Sequence, residues 1–307
     1  MLLIYQEAAM QSNGRDEIQE KVHAEKEAAR GALLKFPRFN LKRRVFFIHG
    51  WSDEANVCWT HPYTDQDTIK DWVDKLIINK DDMVHYIRLL RDESKAKISY
   101  DRFNSVIVDI DDDETYYYEN FFQFADLLKY KINCNRSSDA EEVDLVCHSM
   151  GGLDSVVAIA IDKAIDTTKT IYSPCLKGVN RLITVSTPHQ GSPEAKLANK
   201  KIAKLILHKS KYIGMQGANM SIDSDYMRLV NSVNVRNRLL ERVASMHMFG
   251  GGSDLVVPEY SYKINTIGLT KTNYTINPIL NLATHSQTMG ITQDVRMAFE
   301  IFSLLSQ

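Results

Sequence analysis

Residues 143–155 read VDLVCHSMGGLDS. An apolar run stops at a His-Ser pair, then passes through Met150 and two glycines into a helical pattern. A serine in such a place is either an ordinary turn residue or a nucleophile. In open parallel sheets, reactive groups gather just beyond the carboxyl ends of the strands. A strand that turns sharply into a helix lifts the central side chain clear of the sheet. The crowded backbone then needs small residues two before and two after it. Cys147 and Gly151 stand at those offsets from Ser149, and Gly152 gives the following helix room to pack close. The amide of Met150, at the N-terminus of the new helix, would face any negative charge forming beside Ser149. A serine hydroxyl is a weak nucleophile, so this chemistry also needs a base and an acid to orient that base.

The elements around this stretch must be able to hold such groups. RRVFFIHG (43–50) and VDLVCH (143–148) are continuous apolar runs, the mark of strands buried on both faces. Further strands are predicted at FNSVIVDI (103–110), NRLITVSTP (180–188) and RVASMHMFGGGSD (242–254), with a last one within SYKINTIGL (261–269). Helical patterns lie at 15–34, 68–80, 119–132 and 151–165, and a terminal helix spans roughly 288–305. This alternation argues for an α/β domain, a mostly parallel sheet flanked by helices. The regularity breaks at about residue 191. Residues 191–242 are largely helical in character and read as an insertion within a single domain spanning 1–307.

Composition sets outer bounds. With 44% apolar and 25% charged residues, the 307-residue chain has the make-up of a globular protein able to bury a large core. A net charge of −2 gives no footprint for nucleic acid. Cys58, Cys134, Cys147 and Cys175 lack the close spacing of a zinc or redox pair. No secretory signal opens the sequence and no run reaches about 18 apolar residues, which predicts a cytoplasmic protein, or a secreted one if a leader has been removed. The sequons at Asn135, Asn219 and Asn273 are then chance matches.

CHSMGGL resembles the G-x-S-x-G nucleophile elbow of the α/β-hydrolase fold, and its wording is similar to lipases and esterases within that fold. Cys147 departs from the motif's first Gly but is small. FFIHGWSDE (46–54) resembles the His-Gly-X loop of lipases, which implies that Trp51 gives the second oxyanion amide beside that of Met150. The resemblance also implies the chain order Ser, acid, His. Asp254, in the turn FGGGSDLVVP (249–258), then becomes the acid and His285, in ATHSQTMG (283–290), the base. His247 precedes Asp254 inside a strand and does not fit. His148 abuts the serine but should point away from it, satisfied by local hydrogen bonds. STPHQGS (186–192) resembles a segment that shapes the pocket edge in lipases, making His189 structural.

The expectation is a carboxylic-ester hydrolase of lipase or esterase type, working on a small-molecule or lipid ester without cofactor or metal. A thioesterase, amidase or acyltransferase would use the same residues, and a non-catalytic lipid- or partner-binding protein would need none of them. Residues 195–215 carry six lysines and no acidic residue, with Ile202, Leu205, Ile206 and Ile213 at helical spacing. This segment is either a helix packed on the core with its lysines in water or a lid-like piece that meets an anionic lipid interface. DIDDDE (109–114) has calcium-loop spacing at Asp109, Asp111 and Asp113. Glu114 and Asn120 stand where an EF-hand needs Gly and Glu, so a solvated turn is the better reading.

Overall fold

The computed structural model describes residues 41–50, 84–87, 121–162, 175–193, 195, 219–279, 283, 285, 291–293 and 295–307. The helices expected at 15–34 and 68–80, the strand at 103–110, the acidic run 109–114, Trp51, and all of 195–215 but Ala195 lie outside the described residues.

Six strands are described: β1 (Arg44–Ile48), β2 (Val84–Ile87), β3 (Val143–His148), β4 (Val179–Val185), β5 (Val243–Phe249) and β6 (Tyr274–Ile276). They form one sheet in the order β2-β1-β3-β4-β5-β6, and every neighbouring pair is parallel. The helices among them are α1 (Phe121–Cys134), α2 (Met150–Ala160), α3 (Asp225–Val230), α4 (Val233–Arg242) and α5 (Val295–Leu305). A parallel sheet needs cover on both faces, because parallel strands are linked by crossovers that run over the sheet.

Side-chain alternation along the strands sorts the two layers. Phe46 and Ile48 of β1, with Val143, Leu145 and Cys147 of β3, join one apolar core with Leu128 of α1, Leu153 of α2 and Leu239 of α4. Phe47 projects to the opposite face and meets Phe302 of α5, their ring centroids 6.2 Å apart. Helix α1 buries Phe124, Ala125, Leu128 and Ile132, one stripe of a helical surface. Ser224 and Ser232 accept from the amides of Met227 and Val235, three residues on, and so start α3 and α4. At the far end of α4, Arg242 donates to the Ile159 carbonyl (2.8 Å) and to Asp162, fastening α4 to the last turn of α2.

Two strands differ from the sequence reading. Val84–Ile87 (VHYI), set between charged residues, forms β2 and was not expected. The last strand is Tyr274–Ile276, not part of 261–269. In 261–269 the Asn265 side chain accepts from the Ile267 amide (3.0 Å) and Gly268 has φ +79, a turn conformation that cannot continue a strand. The register of β6 is set just before it. The Asn273 side-chain amide donates to the carbonyls of Leu240 and Val243, and the Asn273 carbonyl accepts from Met246. No helix among the described residues is long and apolar enough to cross a membrane.

Phe302 is fully buried between α5 and the sheet. Phe302→Ala should therefore lower unfolding stability by about 3–5 kcal/mol through lost transfer energy and the cavity left behind. Urea titration followed by intrinsic fluorescence checks this; a loss below about 1 kcal/mol would mean that α5 does not close that face.

Candidate active site

The site begins at the end of β3. Ser149 adopts φ 52 and ψ −127, a conformation that is uncommon for a residue with a Cβ and costs on the order of 1–3 kcal/mol. Its amide donates to the Val185 carbonyl (3.0 Å), so the ladder with β4 runs one residue past the strand. The glycines around it are there for space. A Cβ at Gly50 would collide with the Cβ of Ser149, one at Gly151 with the His49 carbonyl, and one at Gly152 with the Thr187 side chain. Cys147 stands where the elbow motif has a glycine, yet its side chain points into the core. There its Sγ lies 3.2 Å from the Ser155 hydroxyl, which donates on to the Gly151 carbonyl. Burial pushes the Cys147 thiol up to about 12, so it is an inert packing group.

Serine is a favoured helix N-cap, and Ser149 occupies the N-cap of α2. Its hydroxyl makes no capping bond. Instead Oγ lies 2.8 Å from His285 Nε2, while His285 Nδ1 lies 2.9 Å from Asp254 Oδ2. Hydrogen-bond chemistry gives this chain a direction. An ionised carboxylate only accepts, so Nδ1 carries the proton, Nε2 of the neutral ring accepts, and the serine hydroxyl donates. The other oxygen of Asp254, Oδ1, accepts from the amides of Val256 (3.0 Å) and Val257 (2.7 Å). Asp254 is therefore fixed in orientation by its own turn.

The three residues come from separate places: the end of β3, the turn after β5, and the segment before α5. Ser253 donates to the Ala283 carbonyl (3.0 Å), and a side chain at Gly251 would strike that same carbonyl, so the acid turn and the His285 segment are closely apposed. The structure thus brings together all three side chains picked out in the sequence. Met150 lies at the N-terminus of α2, whose first amides have no partner within the helix, beside Ser149. Trp51 lies outside the described residues.

His148 corrects the sequence reading. Local hydrogen bonds were expected for it, but its partner lies 137 residues away. Its Nε2 lies 2.9 Å from the His285 carbonyl, and its ring rests against that of His285 with centroids 4.8 Å apart. Burial, followed by the neighbouring His285, holds His148 well below the ordinary histidine range, so it is neutral. His189 is buried, shares a hydrogen bond with Thr184 Oγ1 (3.0 Å), and is driven down to about 3 by burial. His247 sits within β5, paired with Ile183 and Thr275. No cluster of metal-ligating side chains occurs among the described residues.

A parallel sheet between helical layers, with a strained serine where its third strand turns into a helix, defines a lipase- and esterase-like α/β-hydrolase fold. Residues 84–295 match the model of the PGAP1-like alpha/beta domain, and the chain belongs to that family. Among solved structures, phospholipase PlaB from Legionella pneumophila is similar at 14% identity and a TM-score of 0.56, covering 86% of this chain and 59% of that one. The chain thus spans about 59% of the length of PlaB. The mature lipase BlEst2 from Bacillus licheniformis gives 17% identity and a TM-score of 0.48, covering 87% of this chain and 93% of that one. No curated protein matches the sequence.

One acidic residue beside the elbow has no evident role in this relay. Asp154 in α2 is fully buried, neither carboxylate oxygen has a hydrogen-bond partner, and burial raises its pKa well above the usual carboxylate value. Its folded pKa exceeds its unfolded one, so folding takes up a proton. The associated stability is complete below about pH 4 and is lost as pH rises toward the folded value. Asp154→Asn should remove this loss. Its stability advantage over wild type, read by urea unfolding at pH 5, 6, 7 and 8, should grow with pH; a constant difference would show that Asp154 does not change protonation on unfolding.

Proposed function

We propose that the protein is a serine carboxylic-ester hydrolase of lipase or esterase type, with Ser149 as nucleophile, His285 as general base and acid, and Asp254 as the orienting acid. The observation that supports this most is the continuous hydrogen-bonded relay from Ser149 Oγ through both nitrogens of His285 to Asp254. In the reaction, His285 Nε2 takes the serine proton as Oγ adds to the ester carbonyl. Asp254 keeps the Nδ1–H tautomer and stabilises the imidazolium that forms. The amides of Met150 and Trp51 receive the oxyanion, each worth about 2.7–4 kcal/mol of barrier. The imidazolium then protonates the leaving alcohol. Water, activated by the same imidazole, releases the acid from the acyl-enzyme and restores Ser149. No step calls for a cofactor.

Several groups argue for a nucleophile over a turn residue. The serine hydroxyl is diverted from capping, the backbone beneath it is strained, and Gly50 leaves just enough room for it. Such strain is commonest where function requires it. A lipid or small-molecule ester is the substrate class, in keeping with a fold shared with a phospholipase, although fold alone does not fix chemistry. Residues 191–242 would line the acyl side of the pocket as a lid-like insertion within one domain, with the lysines of the basic stretch 195–215 turned to water.

Hydrolysis of p-nitrophenyl esters of two to sixteen carbons, with and without an emulsion, tests this reading. Wild type should turn over. Ser149→Ala and His285→Ala should each lose on the order of 10⁴-fold or more in kcat, and Asp254→Asn a comparable amount through the wrong tautomer. Combining two of them should cost little more than one, because the groups act as a unit. A folded wild type that neither hydrolyses any ester nor takes up a fluorophosphonate at Ser149 would sink the proposal.

A further inference from the structure

His148 and Ser149 are consecutive residues, yet they grip His285 at two different points. Ser149 Oγ meets the ring at Nε2, and His148 Nε2 meets the backbone carbonyl of the same residue at 2.9 Å. A carbonyl can only accept, so the proton of that bond sits on His148 Nε2. The two rings also lie against one another, centroids 4.8 Å apart and tilted by 38°. Besides the Ser149 contact, the described residues hold the His285 segment in three further ways. Ser253 donates to Ala283, Asp254 binds the ring, and His148 binds the backbone. The first two come from the turn after β5. Among the described residues, His148 is the group of β3 itself that binds the backbone of the segment, one residue before Ser149, which meets its ring.

Resting on the hydrolase reading above, we propose that His148 is a positioning residue, one that sets the separation of nucleophile and base by holding the His285 backbone against the end of β3. Its hydrogen bond is to the His285 backbone and not to an atom that gives or takes a proton in the reaction. Two features suit it to this. Its side chain is fully buried, so water does not compete at its surface for the donor. Its charge state matches the reaction, because a neutral ring can lie beside His285 while that residue becomes an imidazolium. A cationic neighbour would oppose the proton transfer by like-charge repulsion. Burial and His285 itself both keep His148 neutral. Among the described residues, the facing titratable groups are His285 across the ring contact and His49 from the end of β1, the latter also lowering its affinity for a proton.

Two variants separate the donor from the ring. His148→Phe keeps an aromatic body and loses the donor; His148→Gln keeps an N–H donor and loses the ring. With the most reactive p-nitrophenyl ester, kcat of His148→Phe should fall on the order of 100-fold, as expected for a base displaced by about 1 Å, while KM stays within about threefold. His148→Gln should recover most of that kcat. Equal kcat in wild type and His148→Phe, both folded by thermal unfolding, would overturn the positioning role while leaving the hydrolase reading intact. A wild type that neither hydrolyses nor is labelled at Ser149 would overturn the hydrolase reading and this one with it. The unsubstituted protein supplies a check that does not depend on any variant's folding. Its His148 imidazole should show, by nitrogen NMR, the neutral Nε2–H tautomer throughout pH 5 to 8. An Nδ1–H tautomer, or titration within that range, would also refute the role.

Discussion

The backbone conformation at Ser149 is the constraint on which the rest of the site depends. With φ 52 and ψ −127 it is unfavourable for a residue bearing a Cβ, and it persists only because the surroundings leave no other path. The Ser149 amide is held by the Val185 carbonyl of β4 on one side, and its carbonyl receives the Gly152 amide on the other. Gly50 at the end of β1 and Gly151 at the start of α2 approach so closely that neither position has room for a methyl group. The turn therefore exists at the junction of three strands and one helix, and the strained geometry directs the hydroxyl outward to His285 instead of back onto the helix amides.

Much of this was legible in the sequence because its causes are local. Cys147, Gly151 and Gly152 are small for steric reasons that act within four residues of Ser149, so the elbow could be read directly. The mostly apolar runs at 44–48 and 143–148 follow from burial on both faces and mark strands by their shortness and flanking turn residues. Asp254 and His285 were reached through their order along the chain. Order survives in sequence, whereas the 2.8 and 2.9 Å contacts do not. What failed to show is what acts at a distance. The partner of His148 is 137 residues away, and nothing in CHSM distinguishes a histidine that binds locally from one that crosses to another segment. The last strand was misplaced for a similar reason. SYKINTIGL has strand-like composition, but Gly268 and the Asn265 turn break it, while Asn273 fixes the next segment through contacts with α4 and β5.

Charge is arranged differently at the two ends of the sheet. Near the start of β3, Asp144 accepts from Arg181 and Asn180, while Arg43 and Arg44 pair with Glu142 and Glu141. These polar groups join neighbouring strands and loops where water reaches part of them, and such pairs add little individually to stability. At the opposite end lie the neutral His148, Ser149, and Asp254 with both oxygens engaged. With both oxygens engaged, Asp254 is held in one orientation toward His285, the kind of fixed arrangement that electrostatic preorganisation requires.

The elbow is not self-supporting. β4 ends as β3 does, in a serine with a left-handed backbone: Ser186 has φ 46. Its amide donates to the Phe249 carbonyl of β5, just as that of Ser149 donates to Val185 of β4. Each strand end thus rests on the last carbonyl of its neighbour, and the ladder is stepped across β3, β4 and β5. The turn at Ser186 has a direct consequence for the turn at Ser149. It carries Thr187 to the first turn of α2, where the side chain fills the space that a Cβ on Gly152 would occupy. The hydroxyls of Ser186 and Thr187 are buried without hydrogen-bond partners, an arrangement that costs stability. Contact is what these two residues contribute in return: with Gly152 lacking a side chain, α2 can sit low against Thr187, and its N-terminal amides come up beside Ser149. A larger residue at 152, or a regular extended backbone at 186, would push the helix N-terminus away from Ser149. The second strained turn is therefore part of what positions the first.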